Sequence, residues 1–217
     1  MQTNLKTLNR IASRYAPSRI LSFNEVHVFR ALELMRENGR VSRMSLGKML
    51  GLGEGAIKTL VKHMKMNGMV ETTNGGTRMT QKGIAICEDL VASIPANTRL
   101  PKCSVALGKF NHAVLLRGLG FAIKSGIEQR DVAVKMNALG ATTLLFRDGK
   151  FLMPAGQAKG SPSLEQNVKG LLIEKLKPLE GDAVIIGSAN DSHRTAELAA
   201  KYAALATLLN SEKRQAA

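Results

Sequence analysis

The sequence predicts an α+β protein in two parts, a helical N-terminal domain closed by a β-hairpin and a C-terminal α/β sandwich on a mixed sheet. Three observations predict it. Apolar residues recur at helical spacing through residues 23–67, and two short extended runs then flank Asn74-Gly75-Gly76. Beyond Pro101, strand-like and helix-like runs alternate in the order βαββαβα. A chain of 217 residues is long enough for two modest domains, each with its own core.

Residues 1–20 carry Lys6, Arg10, Arg14 and Arg19 without an acid, and Leu5, Leu8 and Ile11 share one helical face. This reads as a basic arm or a short amphipathic helix ended before Pro17. From Phe23, the residues Val26, Phe29, Ala31, Leu32, Leu34 and Met35 make a broad apolar face that closes at Asn38-Gly39. A short helix over 45–50 stops at Gly51-Leu52-Gly53. A second, over 54–67, buries Ile57, Leu60, Val61 and Met64 and ends at Gly68. Strands over 69–73 and 77–80 flank the Asn-Gly turn, the strongest local hairpin signal. Helix resumes over 82–94, and the Pro-flanked stretch 95–101 reads as a linker. The domains expected are therefore 21–94 and 102–217.

In the second domain strands are expected at 105–107, 113–116, 142–146, 150–153 and 183–186, with a hairpin turn at Asp148-Gly149. Helices are expected at 127–138, 163–176 and 192–209. The alanines at 199, 200, 203, 204 and 206 give the last helix a small-residue face, suited to its own sheet or to a homodimer seam.

The balance of 31 Lys+Arg against 17 Asp+Glu gives a net charge of +14, which favours a polyanionic partner. The excess is shared, 15 basic against 7 acidic residues in 1–100 and 16 against 10 in 101–217. Cys87 and Cys103 lack zinc or redox spacing and read as packing residues of a reduced compartment. No apolar run reaches the ~20 residues of a membrane span, and the first twenty residues lack the apolar core of a secretory signal. A cytoplasmic protein is expected. No Ser/His/Asp order, paired-carboxylate site or metal cluster stands out, so no enzyme, catalytic residue, metal or cofactor is expected.

Helix, glycine turn, helix and hairpin within some forty residues are the order of a winged helix. The string SLGKMLGLGEGAIKTLVKHMKMNGMVE resembles winged helix-turn-helix transcriptional regulators, the likeness covering residues 24–94. Leu46, Leu50, Ile57, Val61, Met64, Met69 and Val70 fall at the usual apolar positions, and Gly51 and Gly68 at the usual glycines. Two residues depart: Gly47 stands where Ala is usual, and Gly53 where Ser or Thr often caps the recognition helix. The resemblance implies that the second helix enters the major groove of duplex DNA. Its outward face would then present Gly55, Lys58, Thr59, Lys62 and Met66, with Glu54 and His63 at the margins. Lys58 and Lys62 suit phosphates or guanine edges, Thr59 a base edge or thymine methyl, and Arg78 on the wing the minor groove or backbone. His63 either donates to a phosphate or is structural.

In the second domain the segment GDAVIIGSANDSHR places a buried strand, a polar loop and a helix start in succession. Ser188, Asp191, Ser192, His193 and Arg194 could hold a small anionic ligand at that helix N-terminus. Asp191 or Ser192 as a plain cap explains the same residues. Arg130, beside Asp131, is a further ligand candidate or simply an ion pair. The whole chain is similar to an archaeal family that joins an N-terminal winged helix to a C-terminal α/β domain. The residues that carry this likeness are the string above, GIEQRDVAVKMNALGATTLLFRDGKFLMP and GDAVIIGSANDSHRTAELAA. It lends no catalytic residue. The expectation is a DNA-binding transcriptional regulator whose C-terminal domain dimerises or senses a ligand. The alternative is an RNA-binding or chromatin-architectural protein, for which the sequence offers no aromatic stacking platform.

Overall fold

Asn24 and His27 start the first long helix: the His27 Nδ1 accepts the Asn24 amide at 3.2 Å, a reciprocal cap in which histidine stands where Glu or Gln is usual. The helix, α2 (Glu25–Asn38), is preceded by α1 (Gln2–Ala12), and both belong to the first of two units, Met1–Leu90 and Val91–Ala217. The computed structural model describes residues 2–13, 21–154 and 164–215. The expected basic residues Arg14 and Arg19 and the helix-ending Pro17 lie outside them. Within the described part, α1 is a packed helix with Leu8 and Ile11 buried.

Helix α3 (Arg43–Leu50) begins two residues before its expected start because the Ser42 hydroxyl accepts the Ser45 amide at 3.0 Å. Gly51 closes it with φ at 71°. Helix α4 (Glu54–Met66) follows, its N-cap Gly53 giving no side-chain bond. Strands β1 (Val70–Thr73) and β2 (Gly76–Met79) pair antiparallel with Val70 opposite Met79 and Thr73 opposite Gly76. Val41, in the connection between α2 and α3, exchanges both backbone bonds with Thr77 at 2.9 Å and adds a third rung beside the hairpin. Helix α5 (Gln81–Ser93) follows, its last three residues belonging to the second unit. Its Gly83 is obligatory, since a Cβ there would fall 2.1 Å from the Met69 carbonyl oxygen.

The second unit is built on β3 (Asn97–Leu100), β4 (Phe110–Leu116), β5 (Gly140–Arg147), β6 (Lys150–Leu152) and β7 (Ala183–Ala189). A 3-10 turn (Gly120–Ala122) and α6 (Ile127–Val134) lie between β4 and β5; α7 (Gln166–Leu176) precedes β7 and α8 (His193–Gln215) follows it. The sheet order is β3-β4-β7-β5-β6, and all four pairings are antiparallel. The mixed sheet expected from the βαββαβα order is therefore corrected. The α6 connection does join strands of like direction, but β7 lies between β4 and β5 and turns every neighbour antiparallel.

One face of this sheet packs Leu100, Ala113, Leu115, Leu144, Val184 and Ile186 against Val168, Leu172 and Leu176 of α7. The other face carries α8 and α6, where Ala133, Ala138 and Ala199 meet. Helices thus cover both faces. Three expectations shift. Residues 97–100 of the supposed linker form edge strand β3, hydrogen-bonded to β4. Residues 105–107 are irregular, the Val105 carbonyl accepting the Thr142 hydroxyl at 2.6 Å in place of a ladder. Helix α6 stops at Val134, and Asn137 at φ 59° turns the chain into β5. Ser163, where α7 was expected to begin, is outside the described residues. Among the described residues no helix is long and apolar enough to cross a membrane.

Candidate nucleic-acid interface

Helix α4 turns Ile57, Leu60, Val61 and Met64 inward, so the helical period carries Gly55, Lys58, Lys62 and Met66 outward, where all four are exposed. Thr59 is half-buried and its hydroxyl donates to the Gly55 carbonyl at 2.9 Å, so that group is engaged within the helix. Lys58 Nζ lies 2.7 Å from Glu54 Oε1, one turn earlier. The hydrogen bond and charge of Lys58, with Arg43 adding to them, hold the Glu54 carboxyl below its ordinary range. Both partners are exposed, so the pair exchanges readily with solvent ions.

Two hollows adjoin this face. One, of about 460 Å³, is walled by Arg43, Met44 and Lys48 of α3 and by Glu54, Ile57 and Lys58 of α4. The other, of about 380 Å³, lies between Ser42-Arg43-Met44 and the hairpin residues Thr72 to Thr77. Arg43 and Met44 line both, so the hollows join α4 to the hairpin across the start of α3. Arg40 adds a cation at the hairpin tip, where its Nη1 would stand 3.1 Å from a Cβ placed on Gly75. Sequence reasoning singled out none of Arg40, Arg43 and Lys48. The available signal was the pair Arg40 and Arg43 around Ser42, which caps α3 and sets where Arg43 projects.

Two expected contacts change character. His63 is 6% exposed, and its Nδ1 bonds the Ile11 carbonyl of α1 at 2.9 Å while its ring meets Phe23 edge to face. The expectation that His63 contacts DNA is corrected: one residue past Lys62 is about 100° round the helix, on the flank that α1 covers. Arg78 is exposed but directly opposite Glu71 across the hairpin, and the two are ion-paired.

The ligand candidates of the second unit fall on two sides of β7. Ser192 caps α8, its hydroxyl accepting the Thr195 amide at 3.1 Å, and Asp191 accepts the Thr195 hydroxyl at 2.6 Å, which lowers its carboxyl's pKa. His193 stacks edgewise on Phe110 on the β4 side of β7. Arg130 lies on the β5 side, its stem against Gly140 and its guanidinium 3.9 Å from Asp131. Arg194 is exposed. Ser188 is 2% exposed within the sheet; it and its cross-strand neighbour Asn111 each hold one side-chain oxygen without a hydrogen-bond partner among the described residues. Among the described residues no three His, Cys, Asp or Glu side chains group as metal ligands. Burial raises both thiols, Cys87 to about 11, so neither is a poised nucleophile.

These features define a two-unit α+β protein whose first unit exposes a basic helix beside a hairpin. Residues 107–208, most of the second unit, match the model of a family described as a domain of unknown function, DUF4443. The fold is similar to that of a solved structure, hypothetical protein PH0730 from Pyrococcus horikoshii OT3. That likeness has a TM-score of 0.69 at 22% identity and covers 88% of this chain and 95% of that one. No curated protein matches.

Proposed function

We propose that residues 24–94 act as a winged helix-turn-helix domain on duplex DNA, and that the chain is a transcriptional regulator whose second unit dimerises or senses a small anionic ligand. The observation that carries this reading is the outward face of α4, where exposed Lys58 and Lys62 stand one turn apart beside a hollow lined by Arg43 and Lys48. The element order α2, α3, α4, β1, β2 supports it, as does the Ser42 cap that fixes the start of α3. In this reading α4 is the recognition helix, Arg43 and Arg40 lie against backbone phosphates, and the β1–β2 hairpin is the wing. Arg78 serves only when it exchanges Glu71 for a phosphate. A homodimer would set two α4 helices on half-sites about one helical turn, or a multiple, apart.

The positive charge on both halves favours a second reading, an architectural or RNA-binding protein. Affinities for a duplex, a single strand and a structured RNA of equal length, measured by fluorescence anisotropy at matched salt, separate the two. The proposal expects duplex DNA to bind best and Lys58→Ala/Lys62→Ala to weaken it. Equal or tighter binding of RNA sinks the regulator reading.

A further inference from the structure

We propose that α1 is a second DNA-contacting element, seated on the flank of α4 by His63 and presenting Lys6 and Arg10 to the sugar–phosphate backbone of the same duplex. This inference rests on α4 being the recognition helix.

Three observations carry it. First, α1 is docked: Thr7, Leu8 and Ile11 are buried, and they define one face. Second, the tie runs to α4 itself. His63 Nδ1 donates to the Ile11 carbonyl at 2.9 Å, and Phe23 closes over the same imidazole at 5.7 Å between ring centroids. The Ile11 carbonyl belongs to the last turn of α1 and has no partner further along its own helix, so the imidazole satisfies a group that helix termini leave open. Third, Lys6 and Arg10 are exposed, four residues apart on the side of α1 away from its buried face, and α1 contains no acid to neutralise them.

Groove dimensions supply the link. An α-helix with its side chains is about 10–12 Å across and the major groove about 12 Å wide, so a helix lying in the groove fills it. Whatever is seated on that helix's flank stands over a backbone. His63 follows Lys62, about 100° round α4, which is the flank and neither the tip nor the base. An uncharged terminal helix docked there would pack equally well. One with two same-face cations and no acid adds phosphate contacts that carry no base preference.

The test is anisotropy on a fluorescent duplex of about thirty base pairs, bearing a site selected by the full chain, from low to moderate salt. Each phosphate contact contributes about 0.9 to the slope of log K against log salt, so Lys6→Ala/Arg10→Ala should lower the slope by about 2. The order of preference among mutated duplexes should stay that of the wild type. Both side chains are exposed, so this variant retains the fold, and His63→Leu supplies a second arm by removing the tie. It should reproduce the slope loss with Lys6 and Arg10 still present. If the Lys6/Arg10 variant keeps the wild-type slope while Lys58→Ala/Lys62→Ala loses binding, α1 is not a contact and the recognition-helix reading survives. If the wild type itself binds no duplex, both fall together.

Discussion

Lowering the pH from 7 to 4.5 should destabilise the first unit through one residue, His27. It is 7% exposed, and burial lowers its pKa from 6.5 to about 4. The neutral ring accepts the Asn24 amide at Nδ1; protonation turns that nitrogen into a donor toward Asn24 Oδ1, 2.8 Å away, so the cost is that of burying the charge. The depressed folded pKa fixes the sign. Above pH 6.5 both states carry a neutral ring and stability is complete; between 6.5 and about 4 only the unfolded chain takes up the proton, and stability falls as pH falls. At about 1.36 kcal/mol per pKa unit, the loss at pH 4.5 is about 2–3 kcal/mol. For a urea slope of about 1–3 kcal/mol per molar, that moves the midpoint by about 1–3 M. The assay is urea unfolding by far-UV circular dichroism at half-unit pH steps, with His27→Gln alongside. Gln at this position accepts the same amide and does not titrate, so the difference between the two profiles isolates His27. The wild type should lose its advantage between pH 6.5 and 4. Parallel profiles across that window would refute the reasoning, because the ring would then titrate equally in both states.

Ser42→Ala removes the hydroxyl that accepts the Ser45 amide and should cost about 1 kcal/mol in thermal or urea unfolding, while weakening DNA binding through the misplacement of Arg43. Gly187→Ala would place a Cβ 2.4 Å from the Ala196 carbonyl, so α8 cannot stay seated on β7, and a loss of soluble expression or a midpoint drop beyond the Ser42→Ala effect should follow. Asp182 is 1% exposed and accepts from Arg117 at 2.6 Å, Gly118 at 2.7 Å and Leu179 at 2.8 Å; Asp182→Ala should cost about 3–5 kcal/mol, read by differential scanning calorimetry. Cys87, with its pKa raised to about 11 by burial, should react with a chromogenic disulfide at pH 8 only after denaturant is added.

How much of this was legible in the sequence depends on the range of the interaction. Helices α2 and α4 carry an apolar period and a closing glycine, and the hairpin carries Asn74-Gly75, so local physics alone located them. Residues 97–100 read as linker because Pro95 and Pro101 flank them; their strand character comes from pairing with β4, a long-range bond that composition does not record. The sheet's antiparallel pairing was illegible for the same reason, since β7 is inserted between β4 and β5 from more than thirty residues downstream of β5. At the interface the period of α4 placed Lys58 and Lys62 outward. It could not separate a marginal residue from a buried one, and the docking of α1 decided that His63 is inside. Arg43 and Lys48 gather with the face of α4 only through the packing of α3, and Arg40 meets the hairpin tip beside the Val41–Thr77 bridge.

The most direct test of the central claim is a salt titration of the full chain on fragmented genomic duplex DNA, with sequencing of what stays bound. A few sites should survive rising salt, share a common motif, and be lost with Lys58→Ala/Lys62→Ala. Uniform coverage that fades evenly with salt, unaffected by that variant, would contradict it.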